Sequence, residues 1–310
     1  MMRILLTGTS GQVGWELERT LQPLGKVIAV GRSRMDLTKP DSIRTVIREV
    51  MPQIIVNPAA YTAVDKAESE PDLAMTVNGI APGIMAEEAK RVGATMIHYS
   101  TDYVFDGMKS EPYTEDDVPR PINVYGSSKL AGELAVRAAG APYLIFRTSW
   151  VYGLRGNNFL ITILRLAKER DELRIVADQF GAPTWSRTIA EATALALVRS
   201  CARGIEHVSG VYHLTAAGLV SWCGFAEAIV QRSIVRKTQC TLKLIRIATA
   251  DYQQAANRPA NSAMSTKKFA DAFDLALPQW NDALELCMDS FALSSSLLCD
   301  DKNLSRNTAY

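Results

Sequence analysis

One segment, Thr7-Gly8-Thr9-Ser10-Gly11-Gln12-Val13-Gly14, constrains this chain more than any other. It follows a short apolar run, Arg3–Leu6, and opens a stretch of helical composition, Gln12–Leu24. Three glycines spaced G-x-x-G-x-x-G between a strand and a helix have a mechanical reading. Gly8 permits a tight turn, Gly11 lets backbone approach a ligand, and Gly14 lets the helix pack close to the strand. The helix N-terminus then presents unpaired N–H groups and partial positive charge to a pyrophosphate. A strand, glycine turn and helix at the start of the chain predict a βαβ unit.

The pattern continues. Apolar, β-branched runs recur at Val27–Val30, Ile54–Val56, Met96–Tyr99 and Leu144–Phe146, with helical stretches at Asp41–Val50, Ala81–Arg91 and Ser127–Ala138 between them. These strand runs are apolar throughout, as expected for strands covered on both faces. The fold class is therefore α/β: a Rossmann-like, doubly wound parallel sheet with a smaller C-terminal substrate-binding domain. Residues 1–150 form the dinucleotide-binding domain, and segments around 174–215 return to it. Residues 151–173 and 216–290 build the substrate domain. Residues 291–310, rich in Ser, Asp and Asn, read as a flexible tail.

Composition excludes several classes. Across 310 residues, 34 Lys and Arg face 33 Asp and Glu, so the net charge of +1 gives no footprint for nucleic acid or an anionic membrane. No run of about 18 apolar residues predicts a membrane span. The apolar start is too short for a signal-peptide core. The cysteines, at 201, 223, 240, 287 and 299, show no C-x-x-C pair, which argues for a reducing, cytoplasmic setting over disulfides or zinc. The histidines at 98, 207 and 213 are far apart and read as packed rather than metal-ligating.

Two further segments point to chemistry. The second strand ends in Gly31-Arg32-Ser33-Arg34, with no carboxylate for a ribose 2′-hydroxyl. Arg32 or Arg34 would pair with a 2′-phosphate, favouring NADPH while leaving NADH usable; the plainer alternative is an exposed basic turn. Tyr125-Gly126-Ser127-Ser128-Lys129 puts Tyr and Lys on one helix face. A neighbouring ammonium lowers a phenol's pKa and equips it to donate a proton to a carbonyl oxygen. Upstream, Ser100-Thr101-Asp102 sets hydroxyls at a strand's C-terminal end, where open α/β sheets bind ligands. Thr101 or Ser100 could donate to the same oxygen, or either could simply cap the strand.

In combination the chain resembles the extended short-chain dehydrogenase/reductase superfamily. The landmarks are the glycine turn, Asn57-Pro58-Ala59-Ala60, Val77-Asn78, Ser100-Thr101-Asp102 and Tyr125-x-x-x-Lys129. Within it, Thr62-Ala63-Val64-Asp65-Lys66-Ala67-Glu68, His98 through Phe105, Phe146-Arg147-Thr148-Ser149-Trp150, Asp178 through Thr184 and Arg258-Pro259-x-Asn261-Ser262 are similar to reductases of dTDP-4-keto-6-deoxy sugars. The resemblance implies reduction of the C4 ketone of dTDP-6-deoxy-L-lyxo-4-hexulose to dTDP-L-rhamnose by NADPH. It implies Tyr125 as proton donor, Lys129 as its tuner and ribose holder, and Thr101 on the C4 oxygen. It places Gly8, Gly11, Gln12, Val13 and Gly14 on the pyrophosphate turn, Asp36 and Leu37 at the adenine, and Ala60, Tyr61 and Thr62 at the ribose side. Asp102 and Trp150 match substrate-contacting positions. Arg258 is the candidate for the substrate diphosphate, against the reading of a surface arginine. Glu16 matches a Mg²⁺ position of some relatives, but Arg187 stands where a second glutamate is expected, which argues against a metal-bridged pair; a monomer or homodimer is expected. Another sugar-nucleotide reductase or an epimerase of the same superfamily, and a non-catalytic regulatory binding subunit on the same fold, are the alternatives.

Overall fold

The computed structural model describes residues 1–233 and 242–290. The tail at 291–310 and two of the cysteines, Cys240 and Cys299, lie outside the described residues. The first half contains β1 (Arg3–Leu6), β2 (Lys26–Ala29), β3 (Ile54–Asn57), β4 (Thr95–Thr101) and β5 (Tyr143–Thr148). Its helices are α1 (Gln12–Thr20), α2 (Pro40–Val50), α3 (Val64–Ala67), α4 (Pro71–Met75), α5 (Ala81–Val92) and α6 (Val124–Ala139), with a π-helical turn at Thr76–Ile80 between α4 and α5. The second half contains β6 (Val151–Tyr152), β7 (Glu172–Val176), β8 (Phe180–Gly181), β9 (Thr184–Trp185), β10 (Gly210–His213), β11 (Val220–Ser221) and β12 (Lys243–Ile247). Its helices are α7 (Phe159–Glu169), α8 (Ser186–Arg203), α9 (Trp222–Arg232) and α10 (Lys267–Phe273), followed by helical residues 280–290.

Among the described residues six strands form the main sheet, in the order β10-β5-β4-β3-β1-β2, and every pairing is parallel. Successive side chains of a strand point to opposite faces. Ile4 and Leu6 therefore pack with Val56, Ile97 and Phe146 under α1 and α8, while Leu5 packs with Ile55, Met96 and Ile145 under α2, α5 and α6. Burying both faces makes the strand sequences continuously apolar. The strand order reverses beside β1, so the crevice at the carboxyl ends of β1 and β3 is where such sheets take ligands.

The second half divides differently from the expected boundaries. Strand β10 pairs with β5, and α8 packs on α1, both in the main sheet's layers. Residues 172–176 do not join that sheet: β7 pairs in parallel with β12. Its buried side chains, Leu173 and Ile175, meet Phe225 and Ile229 of α9 in a separate core. Helix α10 departs from the expected boundaries in the other direction. Phe269 and Phe273, one turn apart, pack with Phe146 and Tyr212 against the main sheet instead of the substrate lobe. Among the described residues no helix is long and apolar enough to cross a membrane.

Candidate active site

A cleft of about 710 Å³ opens at the carboxyl ends of the central strands. Gly8, Gly11, Gln12, Val13 and Gly14 line it together with Arg32, Asp36 and Leu37 and with Ala60, Tyr61 and Thr62. Tyr125 and Lys129 line the same cleft. The glycine turn has the geometry its spacing predicts. Gly8 takes a φ of 60°, and a Cβ there would lie 2.7 Å from the Ala59 nitrogen. At Gly14 a Cβ would run into the Gly8 carbonyl, so α1 can start this close to the turn only with glycine.

At the strand-two end the two arginines separate. Arg32 lines the cleft and Arg34 does not. The Arg32 side chain is 83% exposed and its Nε stands 3.9 Å from Asp36 Oδ1. Asp36 accepts from the Thr38 backbone N–H at 3.0 Å and from the Thr38 hydroxyl at 2.8 Å. Those bonds, the backbone one foremost, hold its carboxyl below the usual range.

The Tyr–Lys pair sits on the first turns of α6. Asn123 caps this helix, its Oδ1 accepting from the Gly126 N–H at 2.7 Å. Lys129 is 2% exposed and donates from Nζ to the Tyr99 carbonyl at 2.6 Å. Burial lowers its pKa to about 8, opposed by the charge of Glu133 one turn on. The Tyr125 phenol is pushed up to about 12 by burial, partly offset by a hydrogen bond with the Thr101 side chain. The expectation that Lys129 lowers this phenol's pKa is therefore not met. The ammonium is spent on a backbone carbonyl, and desolvation of the phenolate decides the sign.

Thr101 ends β4 buried, and its hydroxyl donates to Asp102 Oδ1 at 3.1 Å. Asp102 is buried as well. Desolvation raises its carboxyl to about 7, with the Ser262 hydroxyl as the leading opposing contact. Trp150 has a φ of 46°, rare for a bulky side chain, and stacks face to face on Trp222 at 3.5 Å between centroids. Arg258 is bound within the protein: Nη2 meets Asp65 Oδ2 at 2.7 Å, and Gln254 and the Tyr103 phenol accept from the same guanidinium. The Ala256 N–H also donates to Asp65 Oδ1 at 3.1 Å, tying the 252–262 loop to α3.

Glu16 lies away from the cleft among Arg187, Arg19 and Arg155, with Glu191 the other carboxylate near it; burial raises its pKa. Among the described residues no group of three or more His, Cys, Asp or Glu side chains could hold a metal ion. In the cluster around Glu16, Arg187 pairs with Glu191 at 2.8 Å. His98 and His213 are fully buried, and burial lowers both, His213 to about 3.

Several cleft residues lie in segments that the sequence matched without giving them a role. Thr148, Val151, Gly156 and Asn157 line the same cleft. Asn158, next to them, donates from Nδ2 to Gln12 Oε1 at 2.9 Å, so the start of the second lobe covers the glycine turn. These partners stand 146 residues apart, and no spacing rule connects them. Asn78 accepts from the Tyr61 N–H at 2.8 Å and donates to the Tyr61 carbonyl and to Ser128 Oγ, each at 3.0 Å.

A glycine turn on a parallel sheet with a Tyr–Lys helix across the cleft defines an oxidoreductase of the short-chain dehydrogenase/reductase superfamily. Residues 2–293 match the family model described as RmlD substrate binding domain. The dTDP-4-dehydrorhamnose reductase of Burkholderia thailandensis is 51% identical over 293 residues, covering 93% of this chain and 98% of the relative. That of Escherichia coli K12 is 45% identical over 303 residues, covering 96% of this chain and 100% of the relative. The crystal structure of the Bacillus anthracis dTDP-4-dehydrorhamnose reductase, in complex with NADP, superposes with a TM-score of 0.84 at 35% identity, covering 94% of this chain and 100% of that one. The chain belongs to the dTDP-4-dehydrorhamnose reductase family.

Proposed function

We propose that the chain reduces the C4 ketone of dTDP-6-deoxy-L-lyxo-4-hexulose to dTDP-L-rhamnose with NADPH as reductant, the last step in making this sugar nucleotide. One observation carries the reading. Tyr125 and Lys129, a single helical turn apart, line the same cleft as the glycine turn, and Thr101 touches the phenol from the strand side.

The glycine turn and the α1 N-terminus face the cofactor pyrophosphate, with Asp36 and Leu37 at the adenine and Ala60, Tyr61 and Thr62 along the ribose side. Arg32, exposed at the cleft end, takes the 2′-phosphate in preference to Arg34. When bound, the nicotinamide supplies hydride to C4. Tyr125 supplies the proton: its phenol, held near 12, stays protonated throughout the neutral range and donates to the C4 oxygen as negative charge builds there. Thr101 hydrogen-bonds that oxygen, and Lys129, anchored on the Tyr99 carbonyl, holds the ribose hydroxyls. Asp102 and the flat Trp150 ring contact the sugar. Arg258 exchanges its Asp65 carboxylate for the substrate diphosphate, an anion of similar bidentate geometry.

Purified protein mixed with NADPH should lose nicotinamide absorbance only when the 4-keto-6-deoxy sugar nucleotide is added. Absence of turnover with that substrate would remove this reading. Retention of the cofactor with interconversion of epimers would replace it with an epimerase.

A further inference from the structure

Residues 153–158 run between β6 and α7 without a strand or helix, yet Gly156 and Asn157 line the cleft beside the glycine turn. One side chain gathers this segment. Asn158 caps α7 with Oδ1, which accepts from the Ile161 N–H at 3.1 Å. Its Nδ2 serves three oxygens: the Gly153 carbonyl at 2.9 Å, the Arg155 carbonyl at 3.1 Å and Gln12 Oε1 at 2.9 Å. Gln12 is the first residue of α1, at the pyrophosphate turn. Its other end, Nε2, donates to the Val151 carbonyl at 3.4 Å. The neighbour of Val151 is Trp150, with its φ of 46° and its stack on Trp222 of α9. A second contact runs beside these amides, because the Arg155 guanidinium stands 4.7 Å from the ring centroid of Trp15 in α1. Two side-chain amides therefore join the start of α1 to the backbone on both sides of Tyr152, from Trp150 to the first turn of α7.

We propose that Asn158 is a positioning residue that couples the two binding events: through Gln12 it fastens residues 153–157 and the Trp150–Val151 backbone to the pyrophosphate turn, so that bound NADPH tightens the hold on the sugar nucleotide. The proposal rests on reading the cleft as a reductase site, with the cofactor on α1 and the sugar against Trp150. A diphosphate seated on the α1 N-terminus fixes Gln12, and the amide pair passes that order to a segment with no secondary structure to order it. Whichever ligand arrives second finds the segment already held and loses less conformational freedom on binding. Such coupling is reciprocal, so the sugar nucleotide must tighten NADPH by the same factor. Asparagine is suited to the task because its oxygen serves the helix while its nitrogen serves the segment and Gln12.

Asn158→Ser tests the link, since a serine hydroxyl still caps α7 but has no amide to reach Gln12. NADPH and dTDP-L-rhamnose are both reduced and do not react together, so their joint binding is measurable by calorimetry on protein checked by thermal melting. In wild type, saturating NADPH should tighten dTDP-L-rhamnose about tenfold, and dTDP-L-rhamnose should tighten NADPH equally. In Asn158→Ser the factor should fall below about threefold, with the affinity of the cofactor-free protein for dTDP-L-rhamnose within about twofold of wild type. Asn158→Asp, which keeps the cap and loses the donor, replaces the serine variant if that does not fold. Amide hydrogen exchange supplies a readout that needs no sugar: NADPH should slow exchange across 153–158 in wild type and far less in the variant. Wild-type coupling in the folded variant, no coupling in wild type, or exchange across 153–158 that ignores NADPH would each overturn the proposal. Protein that binds NADPH but not dTDP-L-rhamnose would strike the substrate reading instead, and hydrogen exchange would still decide whether Asn158 ties the segment to the cofactor.

Discussion

Tyr125→Phe separates chemistry from packing, because it deletes one oxygen and leaves the ring. The ring stands edge-on to Tyr103, 5.8 Å between centroids at 84°, and phenylalanine keeps that contact. The phenol oxygen meets the Thr101 side chain, so folding loses one neutral hydrogen bond. Such a bond is worth about 1 kcal/mol net, or about 2–4 °C in Tm for a chain of this order of size. The kinetic loss is far larger. A positioned general acid contributes about 10²–10⁴ in rate, which is about 2.7–5.4 kcal/mol of barrier. The variant should therefore lose two to four orders of magnitude in kcat, with NADPH affinity within about twofold and nearly the same Tm. The pH profile adds a second reading. Burial lowers Lys129 to about 8, so it sheds its proton as pH rises through that value, while Tyr125 at about 12 keeps its own. Wild-type kcat/KM should fall above about pH 8, and the residual rate of Tyr125→Phe should fall in the same range. The measurements are stopped-flow nicotinamide absorbance, fluorescence titration and a melt across pH. A kcat within threefold of wild type would refute Tyr125 as the proton source. A flat wild-type profile from pH 7 to 10 would refute the role of the Lys129 charge.

Three other outcomes are expected. Arg32→Ala should weaken NADPH about tenfold and NADH hardly at all, the size of one exposed charge-assisted contact; equal effects in paired titrations would clear Arg32 of 2′-phosphate recognition. Glu133→Gln should cost about 3–5 kcal/mol in denaturant unfolding, because Arg147 is buried and bonded to both Glu133 oxygens, at 2.9 and 2.7 Å; a loss under 1 kcal/mol would refute the pair as a buried charge in need of its partner. Asp102 is raised from 3.8 to about 7 in the fold, so its contribution to stability is present below about pH 4 and disappears as pH rises through 7. Asp102→Asn cannot ionise, so its Tm relative to wild type should climb from pH 4 to 7 and then level off; a constant difference would show that Asp102 does not titrate there.

The first half of the fold was legible because each of its signals is local. A strand buried on both faces is mostly apolar, and the runs Arg3–Leu6 and Ile54–Val56 are readable for that reason. Gly8 and Gly14 are readable because a positive φ and a crowded helix start admit only glycine. Tyr125 and Lys129 are four residues apart, and helical periodicity alone brings them to one face. Boundaries in the second half were less legible. Whether Leu173 and Phe269 serve the main sheet or the small lobe depends on which core each meets, and an amphipathic segment does not encode its partner.

Sequence by itself determined the parallel sheet, the glycine turn and the Tyr–Lys helix, since these follow from periodicity, φ preference and short spacing. Tertiary structure alone decided the state of the chemistry. It turned the Lys129 ammonium to the Tyr99 carbonyl, raised Tyr125 by taking water away from it, and tied Arg258 to Asp65 across 193 residues. It also brought Tyr61, Asn78 and Ser128 onto one amide. Burial and long-range hydrogen bonds exist only when the chain is closed, so pKa direction and cleft geometry are properties of the packed molecule rather than of any segment.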